Sequence, residues 1–139
     1  MWMRSIRSNL LALISLVVAL TALSYNTWRN EHTEHNRNIR VAAFEVLREL
    51  AQLQLVIDYA HYENDLEHGN AIMGWGHVGL VNDLSVVIPE PVPTQAEKLF
   101  TVWAEEWETV QDNLESNEKV TQQIRQTRMA VLNVLSHLR

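Results

Sequence analysis

Between Ser8 and Trp28 the chain runs for 21 residues without a charged side chain, and Leu10 to Leu23 is almost wholly Leu, Ile, Val and Ala. As a helix this stretch is about 31 Å long, close to the hydrocarbon thickness of a bilayer. Beyond it the pattern turns from uniform to periodic. Ile39, Ala43, Val46, Leu50, Leu53, Ile57 and Ala60 recur at alternating four- and three-residue steps, the seam of an amphipathic helix. Phe44, Leu47, Val56 and Leu66 widen that seam. The same stepping returns through Ala96, Phe100, Trp103, Trp107, Val110 and Leu114, and again at Ile124, Val131, Leu135 and Leu138. Asn117, Thr121 and Arg128 hold the seam positions in between as a polar waist. A break near Asn113 to Asn117 is the alternative, but without Gly or Pro there the spacing favours one continuous helix.

Helix breakers divide the rest. All four glycines fall between Gly69 and Gly79, and all three prolines between Pro89 and Pro93. This leaves two arms, about 29–68 and 94–138, around an apical segment at 69–93. Thr94-Gln95-Ala96-Glu97 after Pro93 reads as a capping box that starts the second arm. In the apical segment Ile72, Trp75, Leu80, Leu84 and Val87 offer an apolar face, and glycines at 74, 76 and 79 weaken the helix or let another one come close. The predicted class is all-α: an N-terminal transmembrane helix, then an antiparallel helical hairpin or bundle with a short apical helical segment. A two-helix hairpin leaves wide apolar faces uncovered, so the apical segment, a second copy in a four-helix bundle, or another protein is needed to cover them. The expected assembly seam is Val46, Leu50, Leu53 and Ile57 with Trp103, Trp107, Val110 and Leu114.

Flanking residues orient the apolar stretch. Arg4 and Arg7 precede it, and Tyr25 and Trp28 stand at its far end, where amphipathic rings favour the interface. The expectation is a cytoplasmic tail (1–7), a signal anchor (8–28) and an exported domain (29–139), in a single-pass protein of the bacterial inner membrane with its C-terminal domain periplasmic. Ala22-Leu23-Ser24 also fits a cleaved signal peptide. Continuity favours the anchor, because no Gly or Pro occurs before Gly69. The span holds no ionisable residue, so by itself it is neither a pump nor a channel. The outline of short tail, one span and helical exported region resembles many bacterial envelope proteins.

Charge narrows the partners. The chain has 139 residues and a net charge of −6, from 17 acids and 11 bases. That balance disfavours nucleic acid. The N-terminal tail carries +2, the first arm −4, the middle segment −2, and the second arm, with Arg139 at its end, −2. With no cysteine, disulfides, thiolate metal sites and cysteine nucleophiles are excluded.

Two clusters hold metal-ligating side chains. Asp58, His61, Asp65 and His68 are spaced to share one helical face, and two Asp-x-x-His pairs there would present carboxylate and imidazole to a divalent metal. The plainer reading is a solvated polar face near a helix end. Glu31, His32, Glu34 and His35 form a weaker group beside the span. No Gly-x-Ser-x-Gly elbow and no glycine-rich phosphate loop is present, so no enzyme and no cofactor is expected. Tyr59, Tyr62, Trp75, His77, Trp103 and Trp107 gather by position at the apex, as an aromatic core or a binding surface. The expected role is protein–protein interaction, as an accessory or scaffolding subunit of a membrane complex and a homo- or hetero-oligomer. A periplasmic small-molecule sensing domain acting through a partner is the alternative, and a metal-binding helical bundle the third. The bilayer and other membrane or periplasmic proteins are the expected partners.

Overall fold

The computed structural model describes residues 2–138, with side chains from residue 9 onward; Arg4, Arg7 and Arg139, invoked above for orientation and charge, lie outside the described side chains. It is helical throughout, with no strand among the described residues. Four α-helices follow in order, α1 (Trp2–Asp58), α2 (Ala71–Ser85), α3 (Val92–Glu106) and α4 (Leu114–His137), and a π-helical turn (Tyr59–Glu63) closes α1. The chain divides into two compact units, residues 1–37 and 38–139.

In the first unit, Leu10, Leu16, Val18 and Leu23 are all exposed, as are their aliphatic neighbours. One helix near the N-terminus is long and apolar enough to cross a membrane. Tyr25 and Trp28 lie one turn apart with ring centroids at 6.2 Å, and Trp28 stacks on His32 at 5.7 Å.

In the second unit four helical segments share one core. The seam of α1 is consumed there: Val46, Leu50, Leu53 and Ile57 are fully buried, together with Val78 and Val81 of α2, Leu99 and Trp103 of α3, and Val120 and Val131 of α4. Polar contacts give the directions. Arg40 donates to the Leu138 carbonyl at 3.1 Å and Gln54 to the Thr121 hydroxyl at 3.2 Å, so α4 runs antiparallel to α1. Gln95 accepts from Gln123 at 3.0 Å and Glu106 from Lys119 at 3.0 Å, so α3 runs antiparallel to α4. His77 of α2 meets Glu49 of α1 at 2.7 Å.

Three expectations are corrected. The second arm is two helices, because the chain reverses over residues 107–113 and Asn113 caps α4 by accepting from the Glu115 N–H at 2.9 Å and the Ser116 N–H at 3.4 Å. The heptad stepping survives this reversal because both helices turn their apolar face into the same core. The Thr94 capping box is unused: α3 begins at Val92, after a cis Glu90–Pro91 bond, and Thr94 lies inside it. The apical segment is a full helix whose buried side is Gly74, Val78, Val81 and Ser85, while the expected face residue Ile72 is 77% exposed. Trp103 explains this choice of face. Its ring lies so close to Gly74 that an added Cβ would sit 2.5 Å from Cη2, which turns the Gly74 side of α2 inward.

Phe44 and Leu66, expected to widen the seam, are exposed. The α1 seam is covered within the chain, by α2, α3 and α4.

Candidate binding surfaces

The end of the second unit formed by the π-helical turn, the loop at 64–70 and the reversal at 107–113 holds most of the chemistry picked out from the sequence. The π-helical turn ends at Asn64, in left-handed conformation with φ 53°. Asn is among the few residues that tolerate this. Asp65 then builds the loop, its Oδ1 accepting from the Glu67 N–H at 2.9 Å and the His68 N–H at 3.2 Å. Gly69 is fixed by closeness, since a Cβ there would lie 2.6 Å from the Ala60 Cα.

This geometry separates the Asp58, His61, Asp65 and His68 group. Asp58 accepts from Gln54 at 2.9 Å. His61 Nδ1 sits 2.8 Å from the Gln111 carbonyl, and Gln111 donates to Asn64 at 3.0 Å, tying the π-helical turn to the 107–113 reversal. Asp65 pairs instead with His68, Oδ2 to Nδ1 at 2.7 Å. The hydrogen bond with His68 holds the Asp65 carboxyl below its ordinary range, and the same bond, with the carboxylate charge, holds His68 above its own. Tyr59 lies 5.3 Å from the His68 ring. Among the described residues no three His, Asp or Glu side chains converge as metal ligands, the Glu31, His32, Glu34 and His35 group included. The one-face alignment presumed regular α-helix, and the π-helical turn and the Asn64 reversal break that register.

The aromatic residues divide as well. Trp75 is the hub of a cluster, edge-to-face with Phe100 at 5.6 Å and 6.3 Å from both Trp103 and Trp107. Trp103 is fully buried, and its Nε1 has no hydrogen-bond partner among the described residues. Tyr59 and Tyr62 are exposed, Tyr62 meeting His61 edge-on. His77 is drawn to Glu49, a carboxylate 6% exposed that also faces Arg48 at 3.4 Å. A cavity of about 320 Å³ lies beside the cluster, walled by Ile57, Ala60, Trp103, Trp107, Glu108 and Gln111 among others.

Where α3 gives way to the reversal, Glu106 accepts from Lys119 at 3.0 Å, and Lys119 reaches Glu115 at 3.2 Å. Hydrogen bonds from the Ser116 hydroxyl and Lys119 hold the Glu106 carboxyl below its ordinary range. Thr109 and Ser116 bond across the turn at 2.9 Å.

Of the expected assembly seam, Val46, Leu50, Leu53, Ile57, Trp103 and Val110 lie in the core, Trp107 is half-buried and Leu114 is exposed. Large apolar side chains remain on the outer faces instead. Val41, Phe44 and Leu55 are exposed on α1, and Met129 and Leu132 on α4. Between these helices runs a groove of about 490 Å³ with Ala51, Leu55 and Ile124 in its wall and Arg125 and Arg128 along it. Neither arginine has an ion-pair partner among the described residues. This surface is not evident from the seam pattern, although the helical spacing of Phe44, Ala51 and Leu55 was readable.

No protein-family model, curated protein or solved structure matches this chain.

Proposed function

We propose that this chain is a single-pass inner-membrane protein, N-terminus cytoplasmic, whose periplasmic helical domain binds another protein as an accessory or scaffolding subunit of a membrane complex. The observation that carries the reading is the division of apolar side chains in the second unit. Its seam residues are spent on the chain's own core, yet Phe44 stays 63% and Leu132 47% exposed on the two helices that flank an apolar groove. Scattered apolar residues on a surface are ordinary; here the exposed Leu55 lines the groove itself, and Phe44 and Leu132 stand on the same two helices beyond its lining, a grouping that favours an interaction site. Arg125 and Arg128 beside it favour a partner with acidic residues at the rim, where charge sets specificity and encounter rate.

The exposed aliphatic run in the first unit supports the anchor.

Purification of the full chain from membranes in mild detergent, with mass spectrometry of what accompanies it, tests the reading. Phe44→Ser and Leu132→Ser should each release a stoichiometric partner while leaving the helical circular dichroism spectrum unchanged. A partner retained equally by both variants would overturn the assignment of this face.

A further inference from the structure

The cavity at the far end of the second unit has a lining with a distinct chemistry. Two indoles, Trp103 and Trp107, stand one helical turn apart in its wall, and Glu108 is the next residue of the same segment. Ile57, Val110 and further aliphatic side chains make up the rest of the apolar side, and Asn70 and Gln111 supply amides. Glu108 is the sole charged group of the lining; no Lys or Arg takes part. Lys119, the base on the neighbouring turn, is already engaged by Glu106 and Glu115. Exposed residues such as Glu108 and buried ones such as Trp103 both border the space, so it opens to solvent and ends in the core.

Aromatic faces attract cations through the ring quadrupole, Trp most strongly, and a neighbouring carboxylate adds charge attraction. At about 320 Å³ the cavity sits at the small end of ligand pockets. An anion would meet Glu108 with no base to offset it. A neutral apolar ligand would leave the carboxylate and amides unused.

From this combination we infer that the cavity is a binding site for a small organic cation, an alkylammonium group held against the half-buried Trp107 beside Glu108, with the buried Trp103 closing the inner end. The site is independent of the α1–α4 face proposed for protein binding, because its lining shares no residue with that groove.

The probe is choline chloride, compared with its uncharged carbon isostere 3,3-dimethylbutan-1-ol at constant ionic strength. Each is titrated into the full chain in an uncharged detergent and followed by saturation-transfer NMR of the probe methyl signals. The expected result is saturable choline binding in the millimolar range, with the isostere weaker by about tenfold. Glu108→Gln, at an exposed position, should weaken choline by about fivefold without shifting the unfolding temperature. Trp107→Leu should abolish binding, and Trp107→Phe, which keeps a ring, should retain part of it. Displacement of bound choline by short-chain phosphatidylcholine would make a lipid headgroup the source of the cation; choline binding that phosphatidylcholine leaves in place would make it a soluble one. Equal binding of choline and the isostere, or no saturable choline signal at tens of millimolar, would overturn the assignment. So would choline binding that Glu108→Gln leaves unchanged.

Discussion

Three glycines on α2 allow one substitution to be read three ways. Gly74, Gly76 and Gly79 are all helical, so replacement by alanine removes the same backbone-entropy penalty at each, about 0.8–1 kcal/mol in favour of the folded state. Their surroundings differ. A Cβ at Gly76 or Gly79 meets nothing within 4 Å, whereas at Gly74 it would overlap the Trp103 ring, 2.5 Å from Cη2. Trp103 is fully buried and hemmed by Trp75, so the ring cannot swing away without opening the contact between α2 and α3. Overpacking of this kind costs about 1–3 kcal/mol, and an overlap with a rigid ring belongs at the upper end. Net of the propensity gain, Gly74→Ala should destabilise the domain by about 2 kcal/mol, or roughly 10 °C in Tm for a unit of about 100 residues. Gly76→Ala and Gly79→Ala should raise Tm by about 4–8 °C each. Thermal unfolding followed at 222 nm and by tryptophan fluorescence measures all three. Gly74→Ala as stable as Gly76→Ala would refute the close approach of α2 to Trp103.

Other consequences follow from individual contacts. Asn113→Ala should cost about 1 kcal/mol in urea unfolding by removing the cap of α4, while Thr94→Ala, inside α3, should change stability by less than about 0.5 kcal/mol; the reverse order would restore a helix start at Thr94. NMR titration of His68 should give a pKa above its ordinary 6.5 that returns toward that value in Asp65→Asn. The sign of its linkage is fixed: the His68 contribution to stability is present in full below the unfolded pKa and is lost as pH rises through the raised folded one. The Asp65 contribution is lost as pH falls through its depressed value, below the ordinary 3.8, so the pair acts between those limits. An unchanged His68 titration in Asp65→Asn would refute the pairing. N-terminal analysis of membrane-extracted protein should find the chain uncut, and a start at Tyr25 would remove the anchor.

The sequence was legible where periodicity alone decides structure. Ile39 to Ala60 reads as one face of a helix, and every member of that set is buried. The aliphatic run before it was equally plain. What the pattern could not carry was direction: a stripe stepping by threes and fours looks the same whether the helix continues or folds back onto the same core. The reversal at 107–113 therefore passed as a continuous arm, although Asn113 followed two residues later by Glu115 was a usable cap signal. The helix start at Thr94 failed for the opposite reason, because a local capping motif was overruled by an earlier turn at Val92. The face of α2 was set by a tertiary partner, since only the position of Trp103 makes Gly74 an inward residue. The proposed tetrad of Asp58, His61, Asp65 and His68 required an unbroken α-helical register, which nothing in its spacing guaranteed. The cavity wall needs Ile57, Gln111 and Glu108 brought together across some fifty residues of chain, and no local pattern encodes that.

A photo-crosslinking amino acid placed at Phe44 in the full chain, activated in intact membranes, tests the docking role most directly. One protein adduct is expected from position 44, absent from a control at the exposed Asp83 and lost in Leu132→Ser. Adducts of equal yield from both positions, or lipid alone at position 44, would contradict it.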